Sequence, residues 1–336
     1  YNPATRTYKT ISHIPGNDNT LTGDNIKTCY FEKANNELWL GMHLGGVSKL
    51  DIRSGRITQF RHMNPEWEQS DIVRAIVPYE GNLLIATYNG LFLLNKSTGQ
   101  ISLFSEKLHK KVSYFVDLKI DAQGNFWIAS RGLYRYNPKT GKTDSWFFSM
   151  GDSTSLSNNN TMKILIDSKQ RIWIATNGGG VNLYKPEQNS FVRYSSTNSG
   201  LKNDFISNLA ELQYGYLLIS TTQGFSILDA ENNKIWNYGS ENGFPLNSLF
   251  NGGMLLTANG EIFMAGMNGM VSFNEENLSS PHQSFNLNLT SLWINNKLVE
   301  PADEHGVLDI ALPYTQNIKL NHKQTMITVE FASNNY

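Results

Sequence analysis

Residues 121–136 read DAQGNFWIASRGLYRY, and residues 167–184 read DSKQRIWIATNGGGVNLY. Each stretch opens on an acidic turn, runs into Trp-Ile-Ala, and breaks at glycine before a second apolar run. The same core recurs as Trp39-Leu40-Gly41, Leu84-Ile85-Ala86, Leu218-Ile219-Ser220 and Phe263-Met264-Ala265, so six copies follow one another at intervals of 43 to 46 residues. Alternating apolar runs precede the copies, at 26–31, 72–77, 112–120, 162–166 and 206–212. After each core comes a glycine turn, at Gly45-Gly46, Gly90, Gly132, Gly178-Gly179-Gly180, Gly224 and Gly269. A third run then follows, ending at Asp51, Asn95, Asn137 or Asp229 in four of the copies, and after it a fourth, aromatic run.

Four short strands per copy, joined by Gly, Asn and Asp turns, form the unit of a β-propeller blade. Helix-pair repeats have similar periods, but here the apolar positions alternate with period two and glycine interrupts every copy. The fold class is therefore all-β, a propeller of four-stranded blades. In such a stack the large residue of the second strand fills the space between neighbouring sheets, and the small residue two places later lets them approach. Trp39, Trp127 and Trp173 are expected in those inter-blade layers.

Composition agrees with strands and excludes several function classes. The chain has 336 residues, 40% hydrophobic and 17% charged, with 28 Lys plus Arg against 29 Asp plus Glu. A formal charge of −1 gives no electrostatic case for wrapping nucleic acid or coating an anionic membrane. No apolar run approaches the ~20 residues of a membrane helix. With Cys29 the single cysteine, neither an intramolecular disulfide nor a thiolate metal cluster can form. The seven histidines show no metal-ligand spacing, and no nucleophile elbow, phosphate loop or dinucleotide fingerprint appears in context. The Asp-x-x-Gly turns lack the carboxylate ladder of a calcium loop and read as hairpin turns. No catalytic residue, metal or cofactor is assigned.

Both ends leave the repeat. Residues 1–13 (YNPATRTYKTISH) match the end of a third strand plus a fourth strand, as in residues 136–147 (YNPKTGKTDSWF). The chain is therefore expected to begin inside a blade of a longer protein, with residues 8–12 closing the sixth blade by supplying its fourth strand. After Asn274 the period stops. Strands expected at 286–294, 307–312, 318–320 and 326–331 make about half of a β-sandwich of ~100 residues. The domains are a propeller over 1–280 and a truncated sandwich over 281–336.

The motif D-x-x-G-x-hydrophobic-W-I-A/G-T, followed by a glycine-rich turn and Y-N-P-x-T-G, resembles the two-component regulator propeller. Copies two, five and six depart from it in carrying Leu84, Leu218 and Phe263 for the tryptophan. LTSLWINNKLV at 289–299 and FASNNY at 331–336 resemble the start of the Tyr-rich, immunoglobulin-like sandwich that follows such propellers. The resemblance implies the periplasmic sensor region of a Bacteroides-type hybrid two-component system, in an inner-membrane protein. Its membrane helix, histidine kinase and DNA-binding output would lie outside this chain. It also implies seven blades in preference to six, an oligosaccharide inducer, and a homodimer through the full-length sensor.

A propeller displays the turn after the second strand near its axis, once per blade. That places His43, Tyr88, Arg131, Asn177, Thr222 and Met267 on one face, followed by Leu44, Asn89, Gly132, Gly178, Gln223 and Asn268. The candidate ligand-binding residues are His43, Tyr88, Asn89, Arg131, Asn177, Gln223 and Asn268, with Trp67 from an inter-blade loop as a platform for a sugar face. The rival readings are a propeller-type polysaccharide lyase or hydrolase, which would need a carboxylate near Arg131 and His43, and a protein-docking propeller.

Overall fold

A computed structural model describes residues 5, 7–61, 72–246, 248–278, 287–302, 306–315 and 317–333. The chain divides into two units, Tyr1–Asn277 and Leu278–Tyr336.

In the first unit every copy of the repeat builds one antiparallel sheet. The first contains β1 (Ile26–Glu32), β2 (Glu37–Met42), β3 (Val47–Asp51) and β4 (Ile57–Phe60). The second contains β5 (Val73–Tyr79), β6 (Asn82–Thr87), β7 (Gly90–Leu94) and β8 (Ile101–Leu103). A four-residue helix, α1 (Glu106–His109), leads to the third: β9 (Asp117–Ile120), β10 (Phe126–Ser130), β11 (Gly132–Tyr136) and β12 (Thr143–Trp146). The fourth contains β13 (Thr161–Ile166), β14 (Ile172–Thr176), β15 (Val181–Lys185) and β16 (Ser190–Tyr194). The fifth contains β17 (Ile206–Glu211), β18 (Leu217–Thr221), β19 (Gly224–Asp229) and β20 (Lys234–Tyr238). The sixth has three strands, β21 (Leu249–Leu256), β22 (Glu261–Gly266) and β23 (Gly269–Asn274).

Strands follow chain order within each sheet, and each first strand touches the first strand of the next sheet. A Cβ placed on Gly252 of β21 would sit 3.7 Å from the Lys27 carbonyl oxygen of β1, so the last sheet returns to the first. The Lys163 ammonium on β13 also acts electrostatically on the Cys29 thiol of β1, three sheets away in sequence. This is the arrangement of a propeller, with first strands innermost.

The core lies between sheets, as the repeat predicts. Trp39 packs with Val73, Ile76, Leu83 and Phe92 of the second sheet. Trp127 packs with Ile164, Ile172 and Tyr184 of the fourth, and Trp173 with Ile206, Leu209 and Ile219 of the fifth. The small residue matters sterically: a Cβ on Gly41 would lie 2.5 Å from Val73 Cγ1. The Asp or Asn ending the third run folds the next turn. Asp51 Oδ1 accepts from the Arg53 and Ser54 amides at 2.9 Å, and Asn95, Asn137 and Asp229 repeat this Asx turn.

Two expectations for this unit need correction. Six sheets are present among the described residues, where the resemblance favours seven, because there are six copies of the core and each nucleates one sheet. Residues 8–12 form no strand on the sixth sheet. The chain just beyond them is tied to the segment before β1 instead: the His13 amide donates to Asp24 Oδ1 at 2.7 Å, and the Ile14 amide to Thr20 Oγ1 at 3.1 Å.

The second unit is a single three-stranded sheet in which β24 (Leu287–Ile294) lies between β25 (Lys297–Leu298) and β26 (Ile327–Ser333). Asn295 and Asn296, with φ of 48° and 64°, make the tight turn from β24 to β25. The strands expected at 307–312 and 318–320 are absent. Val307, Leu308 and Leu312 do enter the small core with Leu292 and Ile294, but from irregular chain. Pro313, which has no N–H to pair, sits in a 3-10 turn at Leu312–Tyr314. Among the described residues no second sheet forms, so an immunoglobulin-like sandwich is not seen.

Candidate functional site

Three of the turns after the second strands, in the second, fourth and fifth sheets, are braced by a threonine. The Thr87 hydroxyl donates to the Gly90 carbonyl at 3.0 Å and accepts from the Asn89 amide at 3.1 Å. Thr221 makes the matching pair with Gly224 and Gln223, and Thr176 donates to Gly180 at 2.8 Å. These threonines are buried polar residues, and each follows the small residue of the core motif. The motif's last letter is thus a brace for the display turn, a role the sequence reading missed.

Backbone pairing fixes display residues of four copies to the loop entering a first strand. The His43 amide donates to Asn25 at 2.7 Å, Tyr88 to Ile72 at 3.3 Å and Asn177 to Asn160 at 2.9 Å, while Arg131 and Asn160 form a β-bridge. His43, Tyr88 and Asn89 are half-buried; Arg131, Asn177, Gln223 and Asn268 are exposed. The buried His43 Nδ1 has no hydrogen-bond partner among the described residues. The Asn268 side-chain amide donates to the Pro245 carbonyl at 2.8 Å, which ties the β22–β23 turn to the segment leading into β21. Trp67 lies outside the described residues. Beside Asn177, a polar hollow of about 460 Å³ is lined by Ser157, Gly178, Gly179, Arg193 and Asp204.

Two predicted residues meet through two that the sequence did not single out. Tyr88 and Tyr114 stack at 4.5 Å between ring centres, 21° from parallel. The Arg74 guanidinium lies 5.3 Å from the Tyr88 ring centre, and that of Arg131 lies 5.7 Å from the Tyr114 ring centre. Tyr88 is therefore no open platform, because Tyr114 and Arg74 both contact its ring; it offers edge and hydroxyl. Burial, and then the Tyr88 hydroxyl beside it, push Tyr114 up to about 12 against the opposing pull of Arg74 and Arg131. Both phenol and guanidinium groups are hydrogen-bond donors at neutral pH.

Arg74 owes its position to a β-bulge. Val73 pairs with Thr87 and Ala75 with Ala86, so Arg74 is the extra residue at the display-face end of β5. The bulge recurs at Lys27 on β1, Met162 on β13 and Ser207 on β17. A signal existed in the sequence, since Arg74 is the lone charge inside the apolar run 72–77.

With this geometry in view, comparison with known proteins shows what the chain is similar to. Residues 155–178 match the family model described as two component regulator propeller. The chain is 21% identical over 355 residues to a histidine kinase, P4, of Formosa agariphila, covering 89% of this chain and 26% of that protein. The extracellular domain of a hybrid two-component system of B. thetaiotaomicron shares the fold with a TM-score of 0.74 at 21% identity, covering 94% of this chain and 42% of that one. The WD40 β-propeller domain of Doa1 shares it more distantly, at TM-score 0.54 and 12% identity over 77% of this chain and 81% of that one. One copy of the repeat thus matches the two component regulator propeller model, and the chain spans about a quarter of the length of the histidine kinase it resembles.

Proposed function

We propose that this chain is the extracytoplasmic ligand-sensing part of a hybrid histidine kinase, and that it reads an oligosaccharide on the display face of its propeller. The observation that carries the reading is the ring of fixed turns, where hydrogen-bonding side chains vary from blade to blade while the strands beneath them repeat. A hydroxyl-rich ligand is recognised by converging donors and acceptors of this kind. His43, Tyr88, Asn89, Arg131, Asn177 and Gln223 are the proposed contacts. Signalling would follow from differential affinity for two arrangements of the sensor, working as a homodimer; moving a population from 1:99 to 99:1 takes about 5.5 kcal/mol.

The test is calorimetric titration of the intact ectodomain with a panel of oligosaccharides, run beside an assay for new reducing ends or unsaturated products. Heat of binding without turnover is the expected outcome. Turnover would favour the lyase or hydrolase reading, and a folded ectodomain silent in both assays would defeat the proposal.

A further inference from the structure

Among the described residues, the two arginines that lie over tryptophan each carry a carboxylate. Arg135 lies 5.6 Å from the ring centres of both Trp127 and Trp146 and bonds Asp144 Oδ2 at 2.7 Å. Arg171 lies 5.3 Å from the Trp173 ring centre and bonds Asp167 Oδ2 at 2.5 Å. Arg193, over Phe148, is taken up by the Asp152 and Ser155 carbonyls at 2.7 and 2.9 Å. Arg74 and Arg131 break this pattern. Each lies over a tyrosine of one stacked pair, and neither has an ion-pair partner among the described residues. The buried Arg74 Nε lacks an acceptor among the described residues, a state that costs free energy and that the structural arginines avoid.

We propose that Arg74 and Arg131, held by the Tyr88–Tyr114 stack, form an anion-reading subsite, so that the sensed oligosaccharide bears a carboxylate or sulfate group. This rests on the saccharide-sensor reading and names its ligand class. Three features support it. Cation–π contact holds each planar guanidinium by its face and leaves N–H edges for bidentate binding of a planar or tetrahedral oxyanion. The stack joins the second and third sheets, so one ligand group would be read by two blades. Lys27, at the matching bulge of the first sheet, adds a cation on the neighbouring inner strand. A ligand carboxylate would do for Arg74 and Arg131 what Asp144 and Asp167 do for Arg135 and Arg171.

The experiment titrates the intact ectodomain with a galacturonic acid tetramer, a chondroitin sulfate tetrasaccharide, a neutral galactose tetramer and inorganic sulfate, at low and high salt. At least one acidic tetrasaccharide should bind, and Arg74→Gln and Arg131→Gln should each weaken it tenfold or more. Arg131→Lys, which keeps charge but loses the fork, should weaken it less than Arg131→Gln does. Near-UV circular dichroism identifies any variant that has lost its tertiary structure. Binding of the neutral tetramer alone, unaltered by the arginine variants, overturns the anion subsite and leaves the saccharide reading standing. Arginine-dependent binding of inorganic sulfate without any saccharide overturns the saccharide reading, and with it the acidic-oligosaccharide ligand. Binding of neither acidic probe overturns the subsite.

Discussion

Trp173 donates its indole N–H to Asp167 Oδ2 at 2.8 Å, across six residues of chain. Trp127 and Asp121 repeat the bond at 2.9 Å in the preceding sheet. The aspartate of the repeat is therefore more than a turn former: it lets a large indole be buried between blades with its donor satisfied. Asp167 also accepts from the Lys169 and Arg171 amides at 3.0 and 2.8 Å. Asp167→Ala should cost about 2–3 kcal/mol, since it strands buried donors, and Asp167→Asn less. Urea denaturation measures this, and a loss below about 0.5 kcal/mol would refute the role.

The first sheet has the tryptophan without the acid. Six residues before Trp39 stands Lys33, and the buried Trp39 Nε1 has no acceptor among the described residues. Its ring instead carries the Lys49 ammonium at 5.4 Å, itself paired with Glu37 at 2.8 Å. Lys33→Asp should restore the missing acceptor and raise stability by about 1 kcal/mol. The same change in a Trp39→Phe background should bring no gain. A thermal-melt comparison of the four proteins decides it, and equal gains in both backgrounds would rule out the indole as the recipient.

Period-two alternation and the small-residue rule made the sheets, their order and the inter-blade tryptophans legible in the sequence, because each depends on neighbours a few residues apart. The turns after the second strands were legible for the same reason. Arg74 and Tyr114 were not. Arg74 takes its place at the display-face end of β5 only because a bulge slips the register there by one residue. Tyr114 lies in the apolar run 112–120, of which only Asp117–Ile120 is strand, and a bond of 3.0 Å from the Phe115 amide to the Thr87 carbonyl brings it beside Tyr88. The second unit was half legible: Val307 and Leu308 are buried as apolar residues should be, but the strands expected around them have no partner to pair with among the described residues.

Close approach of the first two sheets at Gly41 is open to a direct test. A methyl group there would meet Val73 Cγ1 at 2.5 Å and Thr28 Cγ2 at 2.7 Å. Gly41→Ala should destabilise by about 1–3 kcal/mol through overpacking. Val73→Ala alone leaves a cavity, and the double variant should recover part of both losses. A coupling of about 1 kcal/mol or more in the double-mutant cycle is expected. Strict additivity would mean that the sheets separate there at no cost.

The Asp144 carboxylate should make stability fall in acid. Hydrogen bonds from Arg135 at 2.7 and 3.2 Å hold its carboxyl below the ordinary range, with Lys142 at 3.2 Å adding to the effect against partial burial. A depressed folded value means that the folded protein binds fewer protons than the unfolded chain around pH 3–4. The contribution is thus complete well above about pH 3.9, the ordinary carboxylate value, and is lost as pH falls through that value to the depressed one. The pair is partly exposed, so the expected size is of order 0.5 kcal/mol. Wild type should exceed Asp144→Asn in urea midpoint at pH 7, and the gap should narrow between pH 5 and about pH 2. A gap that holds constant through that range would mean that Asp144 stabilises the Arg135–Trp127–Trp146 cluster by shape and not by charge.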